Sequence, residues 1–461
     1  MNEEAISISE ALKNLLTQRY SQPVEISRLV RLTGGASKET WEFVVSLESG
    51  KEKRLILRKD RKGSPKTSLR LEADIIKAAD SNGVPVPDVV YSEDFHPILG
   101  SFMITDKIEG ETIPKKILKD ERFVETRKSL TAQLGKILAG IHSVNCEKIE
   151  AIGKLEDQLK FISELYYGLG YYLAAFDLAI NWLTEHKIED TTDQVLVHGD
   201  FRNGNFIITE DGIVAVLDWE MAHLGDFHED LGWLCVKAWR FGSDKTVGGF
   251  GTVDELIYSY EKLSNRKVNL ESLKWWEVLG CLKWGIFCIL QTSLFLKNKN
   301  RSVELAAIGR RICEQEWDLL SLIQPMQDNS SKQVHDDFDV GSILEGKDRT
   351  EIEIPTAVEL LEAVEDFITE SYSKTDDRSV SYYSKVAANL IEILKRELTI
   401  GPSIKSSFTS QLNRHGFNSE KDLALSIRHN PKSDYEMNFE LIKHLVTLKM
   451  AISHPGYDNK N

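Results

Sequence analysis

Residues 196–220 carry the pattern that most restricts the fold of this chain, because two short apolar runs are enclosed by polar residues. The segment LVHGD enters a loop that ends at Asn205, the runs FIIT and IVAVL follow on either side of EDG, and Asp218 comes directly after the second run. An Asp-Gly pair between apolar runs is a strong signal for a β-hairpin. The pattern therefore predicts that Asn205 and Asp218 lie at the same end of a hairpin, beside Asp200.

Two carboxylates and one amide oxygen in a single site suit Mg²⁺, which prefers oxygen ligands and needs few protein groups when phosphates supply the others. Phosphoryl transfer requires a metal, a carboxylate that accepts the proton of the attacking hydroxyl, and cations for the remaining phosphate oxygens. We therefore predict Asp200 as the base and Asn205 and Asp218 as metal ligands. ATP is the expected nucleotide, and the sequence leaves GTP open.

A predicted helix after Ser68 contains a carboxylate in an unusual place. Glu72 lies on its apolar stripe, and a buried carboxylate needs a partner. The strand RLILRK offers Arg58, which faces opposite to its apolar neighbours. We predict that Arg58 pairs with Glu72 and grips nucleotide phosphates. The alternative is a solvated strand cation and a half-exposed acid.

A glycine-rich segment, LTGGAS, precedes the first two clear strands. Its position favours a nucleotide-binding loop with backbone donors, although a simple hairpin turn is the alternative. The residues concerned are Gly34, Gly35, Ala36 and Ser37.

The motif HGDxxxxN, followed by a strand pair and an Asp, resembles the aminoglycoside phosphotransferase and choline kinase branch of the protein-kinase-like fold. The resemblance implies an α+β fold with a small β-rich N-lobe and a larger, mostly helical C-lobe. It implies that Arg202 contacts the transferred phosphoryl group, that the backbone near Thr105 meets adenine, and that Asp230 braces the catalytic loop. An exposed loop arginine and a helix-capping aspartate are the alternatives, and His198 is expected to support the loop.

Trp239 and Arg240 occupy the region where such kinases build the acceptor pocket, and we predict them weakly as substrate contacts. Aromatic residues at helical spacing are more often part of the core.

Longer stretches, including LTGGASKETWEF and LDWEMAHLGDFHEDLGWLCVKAWRFG, resemble the kinase-like domain fused to some acyl-CoA dehydrogenases, over roughly residues 25–325. This resemblance implies a hydroxylated acyl-CoA as the phosphate acceptor. The chain is therefore expected to be a small-molecule kinase. An aminoglycoside or choline kinase is the first alternative, and a catalytically silent nucleotide-binding scaffold is the second.

The predicted organisation has four parts. Residues 1–105 form the N-lobe, residues 106–325 the C-lobe, residues 326–351 an acidic linker, and residues 352–461 a small all-α domain. The last part resembles an uncharacterised helical domain that is often encoded beside such kinases, and its role stays open.

Composition restricts the partners. A formal net charge of −15 argues against a general nucleic-acid or anionic-membrane surface, so any anion site must be local. Five cysteines without a CxxC pair favour reduced thiols, and the acidic N-terminal segment predicts no secretory signal. The run WGIFCILQTSLFL is expected to be a buried helix that is too short to cross a bilayer. We therefore expect a cytoplasmic protein.

Overall fold

The computed structural model describes residues 3–32, 38–61, 68–149, 152–154, 157–188, 194–299, 301–324, 355–371, 377–431 and 435–457. The chain divides into two compact units. Unit 1 comprises Met1–Glu156 and Asp190–Leu273, and unit 2 comprises Asp157–Glu189 and Lys274–Asn461. The predicted linker at 326–351 lies outside the described residues, as do Gly34, Gly35, Ala36 and Ser37. The four-part domain boundaries stay a prediction.

The elements of the first 106 residues are one helix, five strands and a second helix. They are α1 (Glu3–Tyr20), β1 (Val24–Leu32), β2 (Lys38–Leu47), β3 (Glu52–Asp60), α2 (Leu69–Ser81), β4 (Val89–His96) and β5 (Gly100–Asp106). The strands form one antiparallel sheet in the order β1-β2-β3-β5-β4. Buried Phe43, Leu55 and Leu57 of this sheet share one core with Leu12 and Leu16 of α1.

Helix α2 begins directly after Ser68, as the sequence predicts, and it ends at Ser81. The Ser68 side chain accepts a hydrogen bond of 2.9 Å from the Leu71 amide, and Asn82 is the C-cap. Apolar Leu69, Ile76 and Ala79 are buried together with Glu72. The helix therefore presents one carboxylate on its buried face, as the spacing predicts.

The middle of the chain is mostly helical and holds four short strands. Its elements are α3 (Pro114–Lys119), α4 (Val124–Ile141), α5 (Gln158–Leu169), α6 (Ala174–Glu185), β6 (Val195–Val197), β7 (Phe206–Thr209), β8 (Gly212–Val216), β9 (His223–Gly225), α7 (His228–Cys235) and α8 (Val253–Ser264). Strands β7 and β8 form the predicted antiparallel hairpin, in which Phe206 pairs with Val216. An N-terminal antiparallel sheet followed by mostly helical structure confirms the predicted α+β fold class.

The remaining elements are all helices. They are α9 (Leu270–Leu296), α10 (Val303–Gly309), α11 (Ile312–Ile323), α12 (Ala357–Ser371), α13 (Asp377–Arg414), α14 (Glu420–His429) and α15 (Tyr435–Ser453). By length and composition α9 is the one helix among the described residues that could cross a membrane, because the helix is longer than the apolar run at its C-terminal end. Its most apolar window is 72% buried within the structure, which is typical of a core helix as well.

Unit 2 is held together by buried ion pairs that join distant parts of the chain. In α6, buried Asp177 accepts hydrogen bonds of 2.8 and 3.2 Å from Arg428 of α14, whose guanidinium lies 4.0 Å from the centre of the Tyr167 ring. In α15, buried Lys449 lies 2.8 Å from both Glu316 and Glu420. Since Asp177, Glu316 and Lys449 are buried, each depends on its partner. The C-terminal helices therefore complete the charge balance of residues 157–189 and 274–324.

We expect Arg428→Ala to destabilise unit 2 by about 3 kcal/mol, because Asp177 would be left as a buried carboxylate without its cation. Urea denaturation followed by far-UV circular dichroism measures the change. Lys395→Ala is the control, since Lys395 makes an exposed ion pair with Glu392 and its loss should have little effect. Equal stability of the two variants would contradict the importance of the buried pair.

Candidate active site

The loop between β6 and β7, residues 198–205, is built on a fully buried histidine. His198 Nε2 lies 3.1 Å from the Leu217 carbonyl oxygen, to which it donates, and Nδ1 accepts a hydrogen bond of 3.2 Å from the Asp200 amide. Burial lowers the pKa of His198, although Asp230 opposes this shift. A neutral ring with its proton on Nε2 satisfies both bonds. His198 therefore supports the loop from within, which is the role that the sequence favours.

Asp230, in the first turn of α7, holds the start of the 198–205 loop. Its carboxylate accepts hydrogen bonds from the His198 amide at 2.8 Å and the Gly199 amide at 2.9 Å, and it lies 3.2 Å from His142 Nε2. Burial alone would raise the pKa of Asp230. The contact with His142 and the hydrogen bonds from the backbone amides outweigh burial, so the pKa of Asp230 lies below its ordinary value. The N-cap of α7 is Phe227. Of the two readings of Asp230, the contacts match the brace rather than the cap.

Gly199 must be a glycine for two independent reasons. Its φ is +77°, and a β-carbon there would lie 2.5 Å from the Met221 carbonyl oxygen. This is the position at which protein kinases carry Arg in HRD. The tight backbone contact therefore requires the small residue in HGD.

Three donors fix the carboxylate of Asp200. Asn205 Nδ2 donates to Oδ2 at 2.6 Å, while Arg202 Nε and Trp233 Nε1 both donate to Oδ1 at 2.9 Å. The sequence analysis did not select Trp233. A usable signal was its spacing of three from Asp230, because residues i and i+3 lie on the same face of a helix. The structure thus aligns a base candidate with three hydrogen bonds.

Arg202 is held on two sides. Besides its bond to Asp200, its guanidinium lies 4.4 Å from the centre of the buried Trp239 ring, which is a cation–π geometry. Arg240 donates from Nε and Nη2 to the Cys235 carbonyl at 3.1 and 2.6 Å. Trp239 therefore lies under the loop and Arg240 faces local backbone, and contact of either with a substrate stays a prediction.

The structure brings Arg58, Glu72 and Asp218 together. The Arg58 guanidinium forms ion pairs with Glu72 and, at 2.8 Å, with Asp218 Oδ1. Burial opposes the charge on Arg58, but Glu72 and Asp218 outweigh it and raise the pKa of Arg58. The neighbouring Lys59 points the other way and pairs with Glu39 at 2.8 Å. Strand alternation thus selects Arg58 as the cation of this site.

Burial raises the pKa of Glu72, and its ion pair with Arg58 counteracts part of that shift. Asp218 is half-buried and has a φ of +68°, a left-handed conformation that aspartate adopts more readily than most residues. The backbone therefore turns sharply just where the carboxylate is presented.

Asn205 and Asp218, the two predicted metal ligands, lie close together at one end of the hairpin. The Leu217 amide donates to the Asn205 carbonyl at 2.8 Å, so the two residues lie at adjacent ends of the hairpin. Asn205 Nδ2 makes both of its bonds with Asp200, which turns Oδ1 away from that carboxylate. Throughout the described part of the chain, no three His, Cys, Asp or Glu side chains are grouped to hold a metal. One carboxylate and one amide oxygen are a donor set that suits Mg²⁺ when a nucleotide supplies further oxygen ligands.

Thr105 lies near the end of β5, where it pairs with Ile56 and Val89. Its side chain is buried. Adenine contact there stays a prediction. The proposed phosphate-binding glycines lie outside the described residues.

Two families match this chain. Residues 28–255 match the Phosphotransferase enzyme family, and residues 374–457 match a Domain of unknown function (DUF6285). Residues 28–255 therefore form a domain of the Phosphotransferase enzyme family. This agrees with the predicted family and with the predicted enzyme class, a small-molecule kinase.

The similar proteins come from two groups. Acyl-CoA dehydrogenase family member 10 of Mus musculus is 29% identical over 54% of this chain and 24% of its own length, and family member 11 of Homo sapiens is 26% identical over 44% and 29%. The chain thus spans about a quarter of the curated relatives it matches. A candidate aminoglycoside phosphotransferase from Ralstonia eutropha shares the fold with a TM-score of 0.56, at 19% identity over 68% of this chain and 97% of that one.

Replacing Asp230 by Asn should selectively loosen the 198–205 loop, because an amide cannot accept from both backbone donors and keep its own contact with His142. We expect hydrogen exchange of the His198 and Gly199 amides to accelerate at least about tenfold. Asp254→Asn, at an exposed position in α8, serves as control. Unchanged protection of the two loop amides would refute the bracing role.

Proposed function

We propose that this chain transfers the γ-phosphoryl group of ATP to a hydroxyl group of a small molecule. The observation that carries the proposal is the carboxylate of Asp200, which three side-chain donors hold in one orientation within a phosphotransferase-family domain. A scaffold that only binds nucleotide has no need of a positioned base. The geometry therefore favours an active enzyme over the silent alternative.

In this mechanism, Asp200 accepts a hydrogen bond from the acceptor hydroxyl, aligns it with the γ-phosphorus, and takes up its proton as the new P–O bond forms. The bond between the γ-phosphorus and the β,γ-bridging oxygen breaks in the same step, and ADP leaves with that oxygen. Arg202, which pairs with Asp200, neutralises the transferred group in this proposal, and Arg58 contacts the other phosphates. Asn205 and Asp218 would hold Mg²⁺, which supplies charge neutralisation to the phosphates when bound.

A hydroxylated acyl-CoA is the proposed acceptor class. Support comes from the relatives named acyl-CoA dehydrogenase family members, which match this chain over about a quarter of their own lengths. Aminoglycosides are the competing class. An ADP-release assay with a panel of hydroxyacyl-CoAs, aminoglycosides and choline tests the choice.

Asp200→Asn should lower acceptor-dependent turnover roughly 100- to 10,000-fold, because the amide cannot take up the proton of the hydroxyl. Affinity for Mg-ATP, measured by calorimetric titration, should survive. Asp211→Asn, in the exposed hairpin turn, is the matched control and should keep full activity. Equal turnover of both variants would rule out Asp200 as the base.

For Asp218→Ala we expect the affinity for Mg-ATP to fall at least about tenfold, because one of the two protein ligands of the metal is lost. The diagnostic comparison is titration with and without Mg²⁺. Wild-type affinity should depend strongly on the metal, whereas the variant should bind nearly alike in both conditions. A variant that retains the wild-type metal dependence would disprove the assignment.

A further inference from the structure

A cleft of about 450 Å³ in unit 1 is lined by four cationic side chains. They are Lys119 at the end of α3, Arg127 and Lys128 in α4, and Lys245 in the segment before α8. Leu118 and Phe250 add apolar surface, and of the described residues that line the cleft none is acidic. We call this feature the basic cleft. In a chain with a net charge of −15, such a concentration of positive charge needs a reason.

The cations of the basic cleft differ in how firmly they are held. Arg127 Nη1 donates to the carbonyl oxygens of Ile117 at 2.7 Å and Asp120 at 2.9 Å, so its guanidinium has a fixed position. Lys128 makes only an exposed ion pair of 2.6 Å with Glu125, which contributes little and can exchange for a ligand anion. Lys119 and Lys245 are exposed. The cleft thus combines one fixed guanidinium with three exposed lysines, a combination that suits several phosphate oxygens.

The basic cleft lies beside the predicted catalytic loop. A β-carbon at Gly204 of the loop would lie 3.8 Å from Pro114, the first residue of α3, and Leu118 near the other end of α3 lines the cleft. Helix α3 has six residues, which corresponds to about 9 Å. On the opposite wall, Asn203 of the loop donates to the Gly248 carbonyl at 2.8 Å, directly before Gly249 of the cleft. The two sites therefore share their supporting backbone.

We propose that the basic cleft binds the phosphate-bearing nucleotide end of a CoA thioester, whose acyl hydroxyl reaches Asp200. This inference rests on the proposed function and specifies its acceptor. The diphosphate and the additional ribose phosphate of CoA match the four cations of the basic cleft. The extended pantetheine arm can span the length of α3. Aminoglycosides, which are polycations, would be repelled from the same surface.

Direct binding of coenzyme A to the full chain tests the proposal without requiring turnover. A non-hydrolysable ATP analogue with Mg²⁺ is kept saturating, so that the adenine of CoA cannot occupy the nucleotide site. The double variant Lys119→Glu/Lys245→Glu should bind CoA at least about tenfold more weakly at low ionic strength, and added salt should weaken wild-type binding more than that of the variant. Lys136→Glu is the control, since Lys136 is exposed on α4 and does not line the cleft.

Three results would overturn the basic cleft as the CoA site. The first is that the wild-type chain fails to bind CoA while the ATP analogue is present. The second is that wild type and double variant bind CoA with equal affinity. The third is that Lys136→Glu weakens CoA binding as much as the double variant does. Circular dichroism of each variant checks that the fold is kept.

Failure of the proposed function gives a different pattern. If CoA binding depends on the basic cleft but no hydroxyacyl-CoA is phosphorylated, the binding site is supported and the proposed activity is refuted. If a hydroxyacyl-CoA is phosphorylated and the double variant keeps the wild-type KM for it, the proposed activity is supported and the basic cleft is refuted as the CoA site. Asp200→Asn should bind CoA like wild type, because the base takes no part in holding the nucleotide end.

Discussion

One buried carboxylate, that of Asp230, fixes the geometry on which the candidate active site depends. A carboxylate without exposure is costly to bury, and here two backbone amides and a histidine ring offset that cost. The anchored His198 then bonds the Leu217 carbonyl, and the Leu217 amide bonds Asn205. Asp218 is the next residue after Leu217. The positions of Asn205 and Asp218 therefore depend on the contacts of Asp230, although neither residue touches Asp230 in this chain of hydrogen bonds. Precise placement of ligands depends on such supporting contacts.

Charge balance around Arg58 supports the proposal that one site binds both a metal and a nucleotide. Arg58 faces Glu72 and Asp218, and Glu220 adds a further negative field. One cation among several carboxylates leaves the local charge negative, which favours a divalent cation. Arriving phosphates bring negative charge that Arg58 and the metal share. Metal and nucleotide are thus expected to bind cooperatively, since each offsets the charge of the other.

The structural features that could be predicted from the sequence are those that depend on local periodicity. The hairpin, the caps of α2 and the pairing of Arg58 with Glu72 follow from strand alternation and helical spacing within short segments. The indole of Trp233 on Asp200 was missed, because the contact joins residues 33 positions apart and the alternative of a core tryptophan is more common. Also unforeseen was the packing of residues 157–189 with the C-terminal helices, which rests on long-range pairs such as Asp177 with Arg428. Such long-range ion pairs produce no periodic pattern in the sequence, so they cannot be predicted from it.

The convergence of Lys119, Arg127, Lys128 and Lys245 is long-range in the same sense, and it changes how net charge should be interpreted. At physiological ionic strength, charges more than about 8 Å apart are largely screened. A ligand at the basic cleft therefore responds to the cations within that range and much less to the −15 of the whole chain. An anionic acceptor is expected to be attracted to the basic cleft although the protein as a whole is acidic. A polycation is expected to be attracted to the acidic surface outside the cleft. We therefore expect acceptor choice in this domain to depend on the local electrostatic field, and we expect the surface beside α3 to favour a phosphate-bearing molecule over a polyamine.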